Sequence, residues 1–193
     1  NMPANTAIKV CSRASILMGG SAITSFEDGT VEADVCDAMY EDLARASLTN
    51  TRWRFATNQA TLTRLAAAPT GRFDAAYQLP SGMIMLNAVT VNDLPIEYDI
   101  YGDKVYCNAV AADTVIADYV FRAVESNWPA YFTIAVEFSM AAILAVSVAR
   151  DAQLASLMEQ KANLYMMQAR RLDSQQQTTR KLNTSRFIAQ RRS

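Results

Sequence analysis

At 193 residues, 51% hydrophobic and with a formal net charge of −1, the chain suits one domain with a real apolar core and at most a small inserted subdomain. It contains no histidine, which excludes Ser-His-Asp triads, histidine general bases and histidine-ligated metals within this sequence. Cys11, Cys36 and Cys107 are odd in number, widely spaced and without a CxxC, a usage that fits reduced cytosolic thiols better than a disulfide framework or a zinc site.

The opening "NMPANTAIKV" lacks a basic region followed by an apolar run, so no signal peptide is expected. A first helix is expected over residues 5–18. Asn5 or Thr6 caps it, Ile8, Cys11, Ser15 and Met18 share a face, and Gly19-Gly20 stops it. A loop with a turn at Glu27-Asp28-Gly29 follows. The second helix, residues 30–48, places Val31, Val35, Met39, Leu43 and Ala46 opposite Glu32, Asp34, Asp37 and Glu41. Those acids crowd the helix's first half, where they suit the positive end of its dipole, and nothing nearby makes them a catalytic pair.

Trp53 and Phe55, interleaved with Arg52 and Arg54, superficially match a base-stacking platform. The favoured reading is that both rings plug the core where two helices meet. A third helix is expected over residues 57–68, ended by Pro69. The period then changes to two. "MIMLNAVTV", "IEYDIYG", "DKVYCNAV" and "TVIADYVFRA" predict a small antiparallel β insertion over residues 75–123, with turns at Asn92-Asp93, Gly102-Asp103 and Ala112-Asp113. Its alternating apolar residues, such as Ile84, Leu86, Val105 and Tyr119, need a second face to cover them.

Helices are expected over residues 129–150 and 151–173, the first with Pro129 in its first turn. Within it "FSMAAILAVSVA" has twelve uncharged residues, short of the roughly 20 needed to span a bilayer, so it reads as a buried helix. In the last helix Leu154, Met158, Ala162, Tyr165, Ala169 and Leu172 form one apolar stripe. Of the adjacent Met166 and Met167, one should pack inward and the other lie at a rim.

Beyond Leu172 the pattern dissolves into "SQQQTT", and residues 174–193 read as an extended arm. From Arg170 onward there are seven basic residues against Asp173 alone, a balance of +6, while residues 1–169 hold eleven basic and eighteen acidic residues, a balance of −7. Such an arm is either a solvated chain end or a segment seeking an acidic surface, nucleic acid or protein. The low charged fraction, 19%, suggests apolar surface covered by partners. There is no GxGxxG, P-loop, HExxH, GxSxG or EF-hand spacing, and Asn183-Thr184-Ser185 is a chance match to a glycosylation acceptor. The expected fold class is α+β: a mainly helical bundle with an inserted antiparallel β subdomain and a C-terminal arm. No enzymatic activity, cofactor or metal is expected.

The order of these pieces resembles the head-to-tail adaptor family of tailed phages, the connectors like tail tubular protein A. The residues that carry the resemblance begin with "AIKVCSRASILMGGSAITSFEDGTVEADVCDAMYEDLARASLTNTRWRFATNQATL", with its Gly-Gly helix end, Ile-x-Ser-Phe loop and Trp53-x-Phe55-Ala56. "AYQLPSGMIML", "YDIYGDKVYCNA", "DYVFRAV", "WPAYFTIAVEFSMAAILAV" and "YMMQARRLDSQQQ" follow in order, so the match covers about 170 residues. Arg52 and Arg54 depart from the family, which often has proline and a small polar residue beside the tryptophan.

The resemblance implies a structural virion protein with no catalytic residues, residues 1–173 forming the adaptor domain. About twelve copies would form a closed ring below the portal vertex of the capsid. The expected partners are the portal protein, a tail or nozzle protein, neighbouring copies that could also cover the sheet, and genomic DNA passing through the channel without sequence-specific contact. No membrane is involved, and the location is the head–tail junction of a virion assembled in the bacterial cytoplasm. The portal-binding residues it points to are Arg170, Arg171, Arg180, Lys181, Arg186, Phe187, Ile188, Arg191 and Arg192. The alternative is a DNA-binding module that grips phosphates with the same basic arm, against which the acidic body argues.

Overall fold

The computed structural model describes residues 5–67 and 69–176. Helices α1 (Ala7–Leu17) and α2 (Val31–Thr49) come first, α3 (Ala130–Ser147) and α4 (Ala152–Gln175) last. Between them run β1 (Thr57–Thr61), β2 (Ala75–Gln78), β3 (Met83–Val91), β4 (Leu94–Pro95), β5 (Tyr98–Tyr101), β6 (Lys104–Cys107) and β7 (Val115–Phe121). The fold is α+β.

Local chemistry sets the helix ends. The Thr6 hydroxyl accepts from the Lys9 amide at 3.3 Å, and the Thr30 hydroxyl from the Ala33 amide at 3.2 Å. After α1, Gly19 sits at φ 88°, and a Cβ on Gly20 would come within 2.7 Å of Ser15 Oγ. Pro129 caps α3 from outside rather than occupying its first turn. The chain reverses between α3 and α4 at Arg150, φ 51°, and the Asp151 carboxylate accepts from the Gln153 and Leu154 amides, both at 3.0 Å.

α3 is the centre of the helical core. Phe132, Val136, Met140, Ala141 and Leu144 are buried on it, and α1, α2 and α4 all pack against it. By length and composition α3 is apolar enough to cross a bilayer, but half of it is buried inside the protein and Glu137 pairs there with Arg13 at 2.9 Å. Burial pushes the Glu137 carboxyl above its ordinary range, against the pull of the Arg13 guanidinium. α1 buries Cys11, Ser15 and Met18 of its expected face.

Two helix faces differ from expectation. α2 buries Ala33, Cys36, Tyr40, Ala44, Ser47 and Leu48, while Val31 and Met39 are exposed. The buried face combines small residues, which permit close packing, with Tyr40 and Leu48, and of the expected face Val35 and Leu43 lie at the core's edge. On α4, Met158, Ala162 and Ala169 of the expected stripe are buried, but Leu172 is exposed. Met166 packs against the core and Met167 is exposed.

The helix expected over residues 57–68 is not one. Residues 57–61 form β1, paired antiparallel to β7 from Thr57 opposite Val120 to Thr61 opposite Ile116, and Arg64 bridges Tyr77. The β-branched Thr57, Thr61 and Thr63 favour extended backbone, half-buried Ala60 and buried Leu62 alternate at period two, and the edge of β7 supplies the hydrogen bonds. The β region therefore begins before residue 75, and it is two sheets, ordered β1-β7-β3-β4 and β2-β6-β5. The β3–β4 hairpin turns through Asn92 and Asp93, at φ 48° and 69°.

The sheets share a core of their own, including Tyr77 and Val105 from one and Val89, Ala117 and Tyr119 from the other. Val105 and Tyr119 thus find their covering face within the chain, and Leu86 packs at the same core's edge. Ile84 packs against the helical core. Ile84 and Leu86 remain partly exposed.

Candidate functional site at the root of the arm

The end of α4 is built into the protein at Asp173. This carboxylate is almost fully buried. One oxygen accepts from the Arg54 backbone N–H at 3.1 Å and the other from the Tyr131 hydroxyl at 3.0 Å. Burial, the hydrogen bond to Asp173 and its negative charge push the Tyr131 phenol up to about 12. Three segments distant in sequence, the Trp53 turn, the start of α3 and the end of α4, meet at this one group.

Beneath it lies an aromatic cluster. Trp53 is fully buried, donates from Nε1 to the Ser47 carbonyl at 2.8 Å, and packs edge-on against Phe132 with centroids 5.0 Å apart. Phe55 closes the cluster at 4.9 Å from Phe132. Trp53 therefore plugs the core between α2 and α3, and its ring has no face to offer a nucleobase.

The same turn directs its charges outward. Arg52 pairs with Asp118, and Arg52 and Arg54 line an open cavity of about 530 Å³ with Thr57, Asn58, Gln59 and Asp118. Arg170 reaches across to Asn50 Oδ1 at 2.5 Å, and Arg171 is exposed. Arg52, Arg54, Arg170 and Arg171 are thus gathered at one end of a body that is otherwise acidic. Of the residues expected to bind a portal, Arg170 and Arg171 stand at this root. Arg180, Lys181, Arg186, Phe187, Ile188, Arg191 and Arg192 lie outside the described residues.

Sequence reasoning missed Asp173 as an anchor and Arg52 and Arg54 as neighbours of the arm. The available signal was that Asp173 is the sole acid among the basic residues of the chain's end. A second network, in which Arg122 binds Glu41 at 3.0 Å and Glu125 at 2.6 Å, and Tyr40 donates to Glu125 at 3.0 Å, ties α2 to the exit of β7. Each member has its partner, so it reads as a clamp. Among the described residues no cluster of Cys, Asp or Glu is arranged to hold a metal. The chain matches no family model and no curated protein.

Proposed function

We propose that the chain is a ring-forming head-to-tail connector, a structural virion protein joining the portal vertex to the tail and lining part of the DNA exit channel. The observation that supports this reading most is the root of the arm. Asp173 anchors the end of α4 in the core, and the sequence that follows it carries five basic residues and no acid, so a charged strap would start from a rigid point. The resemblance in the order of elements, over about 170 residues, supports it independently.

In this reading the arm straps onto the portal. Phe187 and Ile188 are its apolar anchors, and Arg180, Lys181, Arg186, Arg191 and Arg192 meet acidic portal groups. Burying a Phe or Ile contributes about 1.5–3 kcal/mol, whereas an exposed ion pair contributes about 0–1. The Phe187→Ala, Ile188→Ala double variant should therefore weaken portal binding more than neutralising any two of those basic residues.

A second reading, a phosphate-gripping module, draws on Arg52 and Arg54 in the cavity and on Arg170 and Arg171 at the end of α4. It requires the reverse order: steep salt dependence, large losses from the charge variants and little from the apolar pair. Titrating both variants against portal and against duplex DNA at two salt concentrations separates the two. A charge variant that loses DNA affinity, beside an apolar variant that binds portal normally, overturns the strap.

A further inference from the structure

Between α2, α3 and α4 lies an open groove of about 560 Å³. Most of its surface is apolar, with Leu43 from α2, Ile143 and Val146 from α3 and Ala155 and Ala162 from α4, and Ser139, Ser147 and Asn163 also line it. Val146 in this lining is 62% exposed, a large aliphatic side chain left mostly open to solvent. Glu159 stands in the α4 wall, and exposed Asp42 precedes Leu43 on α2, outside the lining itself. An apolar trough of this kind with acidic edges suits a segment that is apolar at its centre and basic at its flanks.

The chain carries such a segment. Phe187-Ile188 follows Arg186 directly and precedes Arg191-Arg192 by two residues. We propose that these residues of the same chain dock in the groove, with Phe187 and Ile188 on its floor and the arginines toward Glu159 and Asp42.

Reach permits it. The groove residues Asn163 and Ala155 lie about 18 and 30 Å back along α4 from its end at Gln175, at 1.5 Å per residue. The segment from Gln176 to Phe187, eleven residues on, spans up to about 36 Å when extended. Arg170 binds Asn50 at one level, and Leu43 and Asn163 share the groove seven residues earlier on each helix, so α2 and α4 flank the groove in the same direction. A chain leaving α4 therefore has only to reverse to lie between them. Docking within one molecule also needs no encounter with a second, because the tether keeps the effective concentration high.

Disulfide trapping in the full-length protein, without portal, tests this. Asn163→Cys in the groove is paired with Ala189→Cys beside the anchors, and glutathione disulfide is the oxidant. The two thiols lose their protons and electrons to it, giving one protein disulfide and two glutathione thiols. Gln168→Cys with Ala189→Cys is the control, since Gln168 lies on the opposite side of α4 and nearer the root of the arm. Asn163 and Gln168 are both exposed, so neither substitution removes a core contact.

The expected result is an intrachain disulfide in the Asn163→Cys, Ala189→Cys variant that forms about tenfold faster than in the control, independent of protein concentration. Adding Phe187→Ala and Ile188→Ala should bring the rate to the control's. Equal rates in the two variants, or a disulfide between chains whose rate rises with concentration, overturns the proposal. Because portal is absent, either result stands apart from the connector reading. The consequence that portal must draw the segment out of the groove, and that the trapped form fails to bind portal, does rest on that reading.

Discussion

The Asp173 carboxylate accepts a hydrogen bond from the backbone N–H of Arg54 at 3.1 Å, joining positions 119 residues apart. One short contact makes the departure of α4 a property of the folded core. Asp173→Ala leaves the Arg54 amide and the Tyr131 hydroxyl without this acceptor in a half-buried place. The expected loss is about 1–3 kcal/mol, read as a lower urea midpoint with unchanged slope. Asp173→Asn, which keeps one acceptor oxygen, should lose less.

Tyr131 supplies the corresponding pH dependence. Its folded pKa is raised from 10.0 to about 12, so the folded state holds this proton more tightly than the unfolded chain does. Its contribution is complete below pH 10 and disappears as the pH rises toward 12. Stability measured across that window should fall less steeply in Tyr131→Phe than in the parent. Tyr40, raised by burial and by the Glu125 carboxylate, continues to contribute in both.

The aromatic cluster separates structure from recognition. Trp53→Ala removes a fully buried indole and the hydrogen bond to Ser47, and should destabilise by about 3–5 kcal/mol. Phe55→Ala, at a half-buried ring, should cost less. At temperatures where both variants remain folded, neither should change duplex DNA affinity. A specific loss in a folded Phe55 variant would restore the stacking-platform reading.

The parts legible in advance were those set by local chemistry. Asn5 or Thr6 read as the first cap, Gly19-Gly20 as a stop, and Asn92-Asp93 as a turn, because each demands a residue type at one place. Residues 57–68 were misread because Leu62, Leu65 and Ala66 satisfy helical spacing while Ala60 and Leu62 satisfy alternation, and only the edge of β7 decides between them. The buried face of α2 was misassigned for a related reason. Small residues such as Ala33 and Ala44 carry little hydrophobic signal, yet they permit the closest packing. Asp173 was invisible as an anchor, since its partners are a backbone amide and a phenol far away in sequence.

All three thiols are buried. The hydrogen bond that Cys11 donates to Cys36 lowers Cys36 and, together with burial, pushes the Cys11 thiol up, and burial pushes Cys107 up, so it is lack of access that keeps all three from a reagent. An aromatic disulfide reagent should therefore react slowly with the native protein and take up three equivalents only on unfolding. Prompt reaction of one equivalent in native buffer would mean that one of the two cores, the helical one holding Cys11 and Cys36 or the sheet one holding Cys107, opens readily.

The central claim is assembly at a portal. The last helix leaves Leu157, Leu164 and Met167 exposed, apolar surface that an isolated subunit does not cover, so assembly should depend on the partner. Closed rings use contacts that differ on the two sides of each subunit. Negative-stain imaging of the purified protein, with and without the portal protein of the same phage, is the most direct measurement. The account requires a monomer or weak oligomer at micromolar concentration alone, and a closed ring seated on the portal when the two are mixed. An isologous dimer that persists with portal present, and never gives way to a ring, contradicts it.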